Sequence, residues 1–178
     1  MAVFIKFFKI LILPFIFLML INFFVFFCRE YHIGFSYQQT KSMPIGLYFY
    51  MPKTKISRGD DILFKLDVHS ERFMVERGYI LKPTNLLKRV VAISGDMVCY
   101  EKGGINIVNP QNNFHFIIQK YQEDTQGRKL PSIIDGCRLL KKGEYFVIGI
   151  SSKYSFDSRY FGIIKNSQII GKAFLLWS

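Results

Sequence analysis

The chain has 178 residues, half of them hydrophobic and 17% aromatic, and a formal charge of +11. That length allows one ordinary domain plus a small appendage, and the apolar content excludes a disordered chain. The basic excess suits nucleic acid and anionic lipid headgroups equally well, and with no run of four basic residues it selects neither.

The amino end is set apart. Residues 1–9 carry only Lys6 and Lys9 as charges, and residues 10–28 carry none, with Pro14 and Asn22 as the only interruptions. At about 1.5 Å per residue the uncharged run reaches roughly 28 Å, close to the hydrocarbon thickness of a bilayer. It is apolar on every side, unlike the helix of a soluble core. Lys6 and Lys9 precede it, so the positive-inside rule holds residues 1–9 in the cytoplasm and exports residues 29–178. The competing reading is a cleavable signal peptide. The run is long for that, and Phe-Phe-Cys-Arg-Glu offers no pair of small residues for a cut.

Residues 31–40 are polar and aromatic and read as a connector back toward the membrane surface. Lys41-Ser42-Met43-Pro44-Ile45-Gly46 follows as a stiff turn, since Pro44 fixes its own φ and disfavours a helical Met43, and Gly46 permits conformations that larger residues resist. A strand is expected over residues 47–51, a turn at Pro52-Lys53-Thr54, and a tight Arg58-Gly59-Asp60 turn feeding a strand from Asp61. Residues 72–81 fit a strand or a short helix. Lys88-Arg89-Val90-Val91-Ala92-Ile93 is a β-branched strand, Ser94-Gly95-Asp96 a turn, and residues 97–100 a second strand. Residues 101–137 read as a looser β excursion with strands at 105–108 and 114–118. Strands over 145–150 and 169–177 close the chain. Many short strands with glycine turns and no long helix beyond the amino end predict an all-β domain.

Metal and histidine chemistry find little support. Cys28, Cys99 and Cys137 form no CxxC pair, and His32, His69 and His115 lie far apart, so no metal site is expected. Cys99 and Cys137 flank the excursion and would pair in an oxidising compartment; two buried free thiols are the alternative. Ser42, presented on its turn, is a candidate nucleophile or simply a turn residue. None of the histidines sits in a stretch built to serve it as base. A neutral lysine can do so if burial and cationic neighbours lower its pKa. Lys88 opens the most apolar strand, with Arg89 beside it as a like-charge neighbour. The alternative for Lys88 is a strand-edge charge that blocks aggregation.

Four stretches together resemble the type I signal peptidases, and within them the TraF-type peptidases of conjugative transfer. Ser-Met-Pro-Ile-Gly-Leu-Tyr (residues 42–48) is similar to the nucleophile box in its TraF form. Arg58-Gly59-Asp60 with its strand is similar to the second box, residues 88–96 to the lysine box, and Ser155-Phe156-Asp157-Ser158-Arg159-Tyr160-Phe161-Gly162 to the last. The resemblance implies a mainly β fold of signal-peptidase/LexA type with one N-terminal transmembrane helix. It implies Ser42 as nucleophile, Lys88 as general base, Thr40 and the Ser42 backbone N–H as oxyanion donors, and Ser155 as the hydroxyl orienting the lysine. Asp157 and Arg159 become a supporting pair, with the aspartate's role in proton transfer left open. No cofactor is implied. The implied partners are a pilin or other signal-peptide-bearing precursor and membrane lipid, not nucleic acid, at a bacterial inner membrane with the catalytic domain periplasmic. One departure stands out: Gly149-Ile150-Ser151-Ser152-Lys153 replaces the usual Gly-Asp-Asn-Arg ahead of the last box. A general signal peptidase, a non-enzymatic assembly component and a LexA-type self-cleaving repressor are the rival readings; the membrane span and the lack of DNA-binding helices oppose the last.

Overall fold

A computed structural model describes residues 2–52 and 55–178, with side chains from residue 12 onward. Lys53 and Thr54 of the expected Pro52-Lys53-Thr54 turn and the side chains of Lys6 and Lys9 therefore lie outside the described residues. Helix α1 spans Ala2–Glu30 and contains the whole uncharged run. Its segment Ile12–Glu30 has a mean hydropathy of 2.3 and is long and apolar enough to cross a membrane. Leu13, Phe17, Leu20, Phe23 and Phe26 are all more than half exposed, and no side chain of that segment is buried.

The remaining chain folds into two antiparallel sheets. The first comprises β1 (Gly34–Gln38), β2 (Gly46–Pro52), β3 (Asp61–Phe64), β4 (Leu86–Ala92), β9 (Glu144–Ile148), β10 (Ile164–Lys165) and β11 (Ile169–Trp177), in the order β1-β2-β11-β3-β4-β9-β10. The second has the order β7-β6-β5-β8, from β5 (Met97–Glu101), β6 (Gly104–Asn109), β7 (Phe114–Gln119) and β8 (Gly136–Leu139). Helix α2 (Val68–Glu76) and the single turn α3 (Ser158–Phe161) complete the domain.

The mainly β class matches the expectation, with two local differences. The segment 31–40 is not only a connector, since Gly34–Gln38 pairs with β2 from Gly34↔Tyr50 to Gln38↔Gly46. The ambiguous segment at 72–81 is helical, but it starts earlier: the Asp67 carboxylate caps α2 by accepting from the backbone N–H groups of His69 and Ser70 at 3.0 Å.

Alternation along β4 decides what faces the interior. Leu86, Lys88 and Val90 share one face, and Leu86 and Val90 enter a cluster with Ile62, Phe64, Val147, Phe156 and Tyr160. Arg89 lies on the opposite face, directly across from Asp61, and its Nε donates to that carboxylate at 2.7 Å. A second cluster, with Val98, Tyr100, Ile105, Ile107, Leu140 and Phe146, joins the two sheets. A third (Met43, Tyr48, Leu63, Leu87 and Ala173) underpins the serine turn. Its Tyr48 is fully buried, and the Tyr48 hydroxyl donates to the Pro44 carbonyl at 3.0 Å. Gly46, at φ +154°, starts β2 where a side chain would run into the Trp177 carbonyl.

Cys99 and Cys137 sit opposite each other on β5 and β8 and form a disulfide, while Cys28 on α1 is free. The bridge closes a 38-residue separation, worth about 3–4 kcal/mol on the chain-entropy account. Alkylation of the denatured, unreduced protein should therefore modify Cys28 alone. Modification at all three cysteines would show that the pair is not bridged in the native compartment.

Candidate active site

Ser42 sits in the loop that joins β1 to β2, closed at its base by the Gln38↔Gly46 pair. The loop is fixed from below by buried Met43 and Tyr48 and from the side by the Ser42 carbonyl, which accepts from the Ser151 N–H at 3.2 Å. The segment carrying Ser151 approaches so closely that position 149 has no room for a side chain. A Cβ on Gly149 would collide with Ser155 Oγ and come within 2.7 Å of the Ser42 carbonyl oxygen. The replacement of the usual Gly-Asp-Asn-Arg therefore keeps its glycine for a steric reason. Ser151 and Ser152 take backbone and turn roles, with Ser152 O accepting from the Ser155 N–H at 3.1 Å.

Ser42 and Lys88 line one cleft of about 530 Å³, together with Thr40, Gln38, Ser155 and Tyr79. Lys88 is 3% exposed and its Nζ donates to Ser155 Oγ at 2.9 Å. Burial pushes its pKa down from 10.5; nearby Asp157 opposes that shift, Arg159 adds to it, and the value falls to about 8. The strand-edge alternative for Lys88 is thereby set aside, because β4 is flanked on both sides by β3 and β9. The like-charge neighbour is Arg159 rather than Arg89, whose charge is engaged by Asp61 across the sheet. Ser42 and Lys88 share the cleft without a hydrogen bond between them among the described residues. The polar partners of Ser42 Oγ are Thr40 Oγ1 at 3.2 Å and Gln38 Nε2 at 3.4 Å. Catalytic contacts in a free enzyme are commonly looser than in its complex.

Asp157 and Arg159 form a buried pair behind the lysine. Asp157 has no exposed surface, caps α3, and accepts from Arg159 Nε and Nη2 at 2.8 Å and from the Gly149 N–H at 2.9 Å. Burial alone would lower the Arg159 pKa, but its hydrogen bond and charge contact with Asp157 raise it above the ordinary value. The guanidinium also donates to the carbonyls of Gln119, Lys153 and Ser155 at 3.0–3.1 Å. The pair thus ties together β7, the loop before the last motif and the backbone of the residue that holds Lys88. His32, His69 and His115 do not line the cleft, and His115 bonds Asn106 on the second sheet.

Two residues of this arrangement escaped the sequence. Gln38 belongs to a stretch whose strand character was hidden by its polar composition, and a lone glutamine four residues before a serine is no motif. Gly149 was seen only as part of an altered box, because the crowding by Ser155 and the Ser42 carbonyl that excludes a side chain there is a tertiary contact.

Comparison with known proteins agrees with these features. Over residues 4–178 the sequence matches the family described as signal peptidase, peptidase S26. It is 32% identical over 149 residues to a plasmid transfer protein TraF of Escherichia coli, across 79% of this chain and 81% of that protein. Signal peptidase IB of Staphylococcus aureus is 30% identical over 105 residues, 54% of this chain and 55% of that one. A crystal structure of a signal peptidase I from Enterococcus faecalis V583 is similar at 24% identity and a TM-score of 0.35, over 67% of this chain and 97% of that chain. With the match running almost end to end, the chain belongs to the signal peptidase family, peptidase S26.

Proposed function

We propose that this protein is a membrane-anchored serine endopeptidase that removes signal peptides through a Ser-Lys dyad. One observation carries the reading: a lysine buried to 3% exposure, with a depressed pKa, opens into the same cleft as a serine held on a rigid turn. Ser42 Oγ attacks the scissile carbonyl and its proton passes to neutral Lys88 Nζ. The lysine then returns that proton to the leaving amine, and water, deprotonated in turn by Lys88, hydrolyses the acyl-serine. Thr40 Oγ1 and the Ser42 backbone N–H donate to the developing oxyanion; losing one such donor typically costs about 10²–10³ in rate. Ser155 orients the lysine. Asp157 acts as support, because its bonds all run to Arg159 and to the Gly149 backbone.

Residues 10–28 anchor the chain, residues 1–9 remain in the cytoplasm, and residues 29–178 are periplasmic at a bacterial inner membrane. The Cys99–Cys137 bridge supports the oxidising side for the domain. The substrate is a signal-peptide-bearing precursor, and the likeness to TraF over four-fifths of both chains favours a pilin precursor of a conjugative type IV secretion system.

Co-expression with a pilin precursor should yield a product shortened at the leader, identified by its mass, and Ser42→Ala should leave the precursor intact. No shortening of any signal-peptide-bearing precursor would overturn the reading. Lys88→Arg keeps the charge but cannot release its proton, so it should abolish cleavage, whereas Lys141→Arg on the surface should not. Appreciable turnover by a folded Lys88→Arg enzyme would remove the lysine from the mechanism.

The pH profile follows from the same geometry. kcat/KM should rise from acid through a midpoint near about 8, as Lys88 loses its proton. A histidine base would place that limb near pH 6–7 instead.

Asp157→Asn separates support from proton transfer. The negative charge of Asp157 raises the Lys88 pKa, so its removal should move the acidic limb to lower pH while a residual activity persists. The variant should also be less stable by about 3–5 kcal/mol, because Arg159 is left buried and unpaired. Complete inactivity across the pH range in a folded variant would give the aspartate a direct part in the chemistry.

A further inference from the structure

We propose that Gln38 is a positioning residue that fixes the Thr40 hydroxyl as a donor, and the inference rests on the Ser-Lys reading above. Gln38 ends β1, at the base of the loop that bears Ser42. Its side-chain amide nitrogen reaches over that loop and lies 2.8 Å from the Thr40 carbonyl oxygen, 2.6 Å from Thr40 Oγ1 and 3.4 Å from Ser42 Oγ. An NH₂ group has two protons, and the two short contacts take both.

The Thr40 carbonyl sets which way round the amide sits. Turning the Gln38 side chain over would bring its oxygen against that carbonyl, acceptor against acceptor, so the nitrogen faces the loop. Thr40 Oγ1 consequently accepts from Gln38, and its own proton is left to be donated elsewhere. In the resting state the neighbour in reach is Ser42 Oγ at 3.2 Å. When an acyl carbonyl is seated over Ser42, the same proton is available to the oxyanion. Without Gln38 the hydroxyl rotor is free, and Thr40 can equally accept from Ser42, which aims the serine proton away from Lys88. Gln38 need not touch the substrate for this; it acts through Thr40.

A double-mutant cycle on cleavage of a signal-peptide-bearing pilin precursor tests the assignment. Gln38→Met, which keeps length and loses the donor, should lower kcat roughly tenfold, the scale of one lost hydrogen bond, with KM unchanged. Thr40→Val should lower kcat by about 10²–10³. The double variant should be no slower than Thr40→Val, because Gln38 has nothing left to orient. Gln38→Leu serves as a second donorless variant should Gln38→Met fail to fold. Losses that multiply in the double variant, or a Gln38→Met effect confined to KM, would overturn the proposal while leaving the Ser-Lys reading in place. Cleavage by Ser42→Ala, run alongside, would instead overturn that reading and the role of Gln38 with it.

Discussion

The constraint on which the candidate site turns is the burial of one lysine side chain. Lys88 is buried at the edge of the cleft, and its burial outweighs the attraction of Asp157, which acts to keep it charged. Its pKa is 10.5 in the unfolded chain and about 8 in the fold. Below pH 8 the lysine is protonated in both states, and the fold carries the whole cost of the buried charge, about 3 kcal/mol for such a shift. Between pH 8 and 10.5 the unfolded chain binds more protons than the native one, so stability rises with pH until the cost is gone. The group proposed as base is therefore a burden on the fold at neutral pH, and the rest of the domain has to offset it.

The Asp157–Arg159 pair decides how much of that burden comes from burial. A lone carboxylate beside Lys88 would hold the lysine protonated, and a lone guanidinium would be a second uncompensated charge in the same interior. Bonded to each other, they leave Lys88 a field whose two parts largely oppose, so burial decides the shift. The same pair fixes geometry: Arg159 holds the Ser155 carbonyl while Ser155 Oγ accepts from Lys88. Electrostatic and positional control of the lysine thus come from the same few atoms.

What could be read in the sequence follows from how local each signal is. Lys88 stood out because it opened the β-branched run Val90-Val91-Ala92-Ile93, and strands 47–51 and 105–108 carried glycine, proline or asparagine at both ends. Arg89 was misassigned as the charge acting on Lys88 because adjacency in sequence is opposition in a strand, where neighbours point to different faces. The effective neighbour, Arg159, lies far along the chain and reaches the lysine only through the packing of α3 on β9. The strand at Gly34–Gln38 was hidden by its glycine and glutamine, and its pairing with β2 is a tertiary choice that overrides weak local preference. The start of α2 was missed, although Asp67 is an ordinary N-cap residue whose carboxylate accepts from the His69 and Ser70 N–H groups.

The excursion at 101–137 is more than a decoration on the sheet that bears Lys88. Its strands join β5 and β8 in a second sheet, and the site leans on that sheet at several points. Gln119 on β7 supplies a carbonyl to Arg159, the Tyr121 N–H donates to the Tyr160 hydroxyl at 3.2 Å, and the Tyr100 hydroxyl donates to the Ser158 carbonyl at 3.2 Å. Arg58, from the second motif, reaches Asp96 at the end of the lysine motif at 2.6 Å and lies 3.4 Å from the centre of the Phe114 ring. The disulfide fastens β8 to β5, the strand that carries Tyr100. Tyr100 follows the bridged Cys99 along β5, and Ser158 stands between Asp157 and Arg159, so the strand that the disulfide fastens is the one that bonds the backbone within the buried pair.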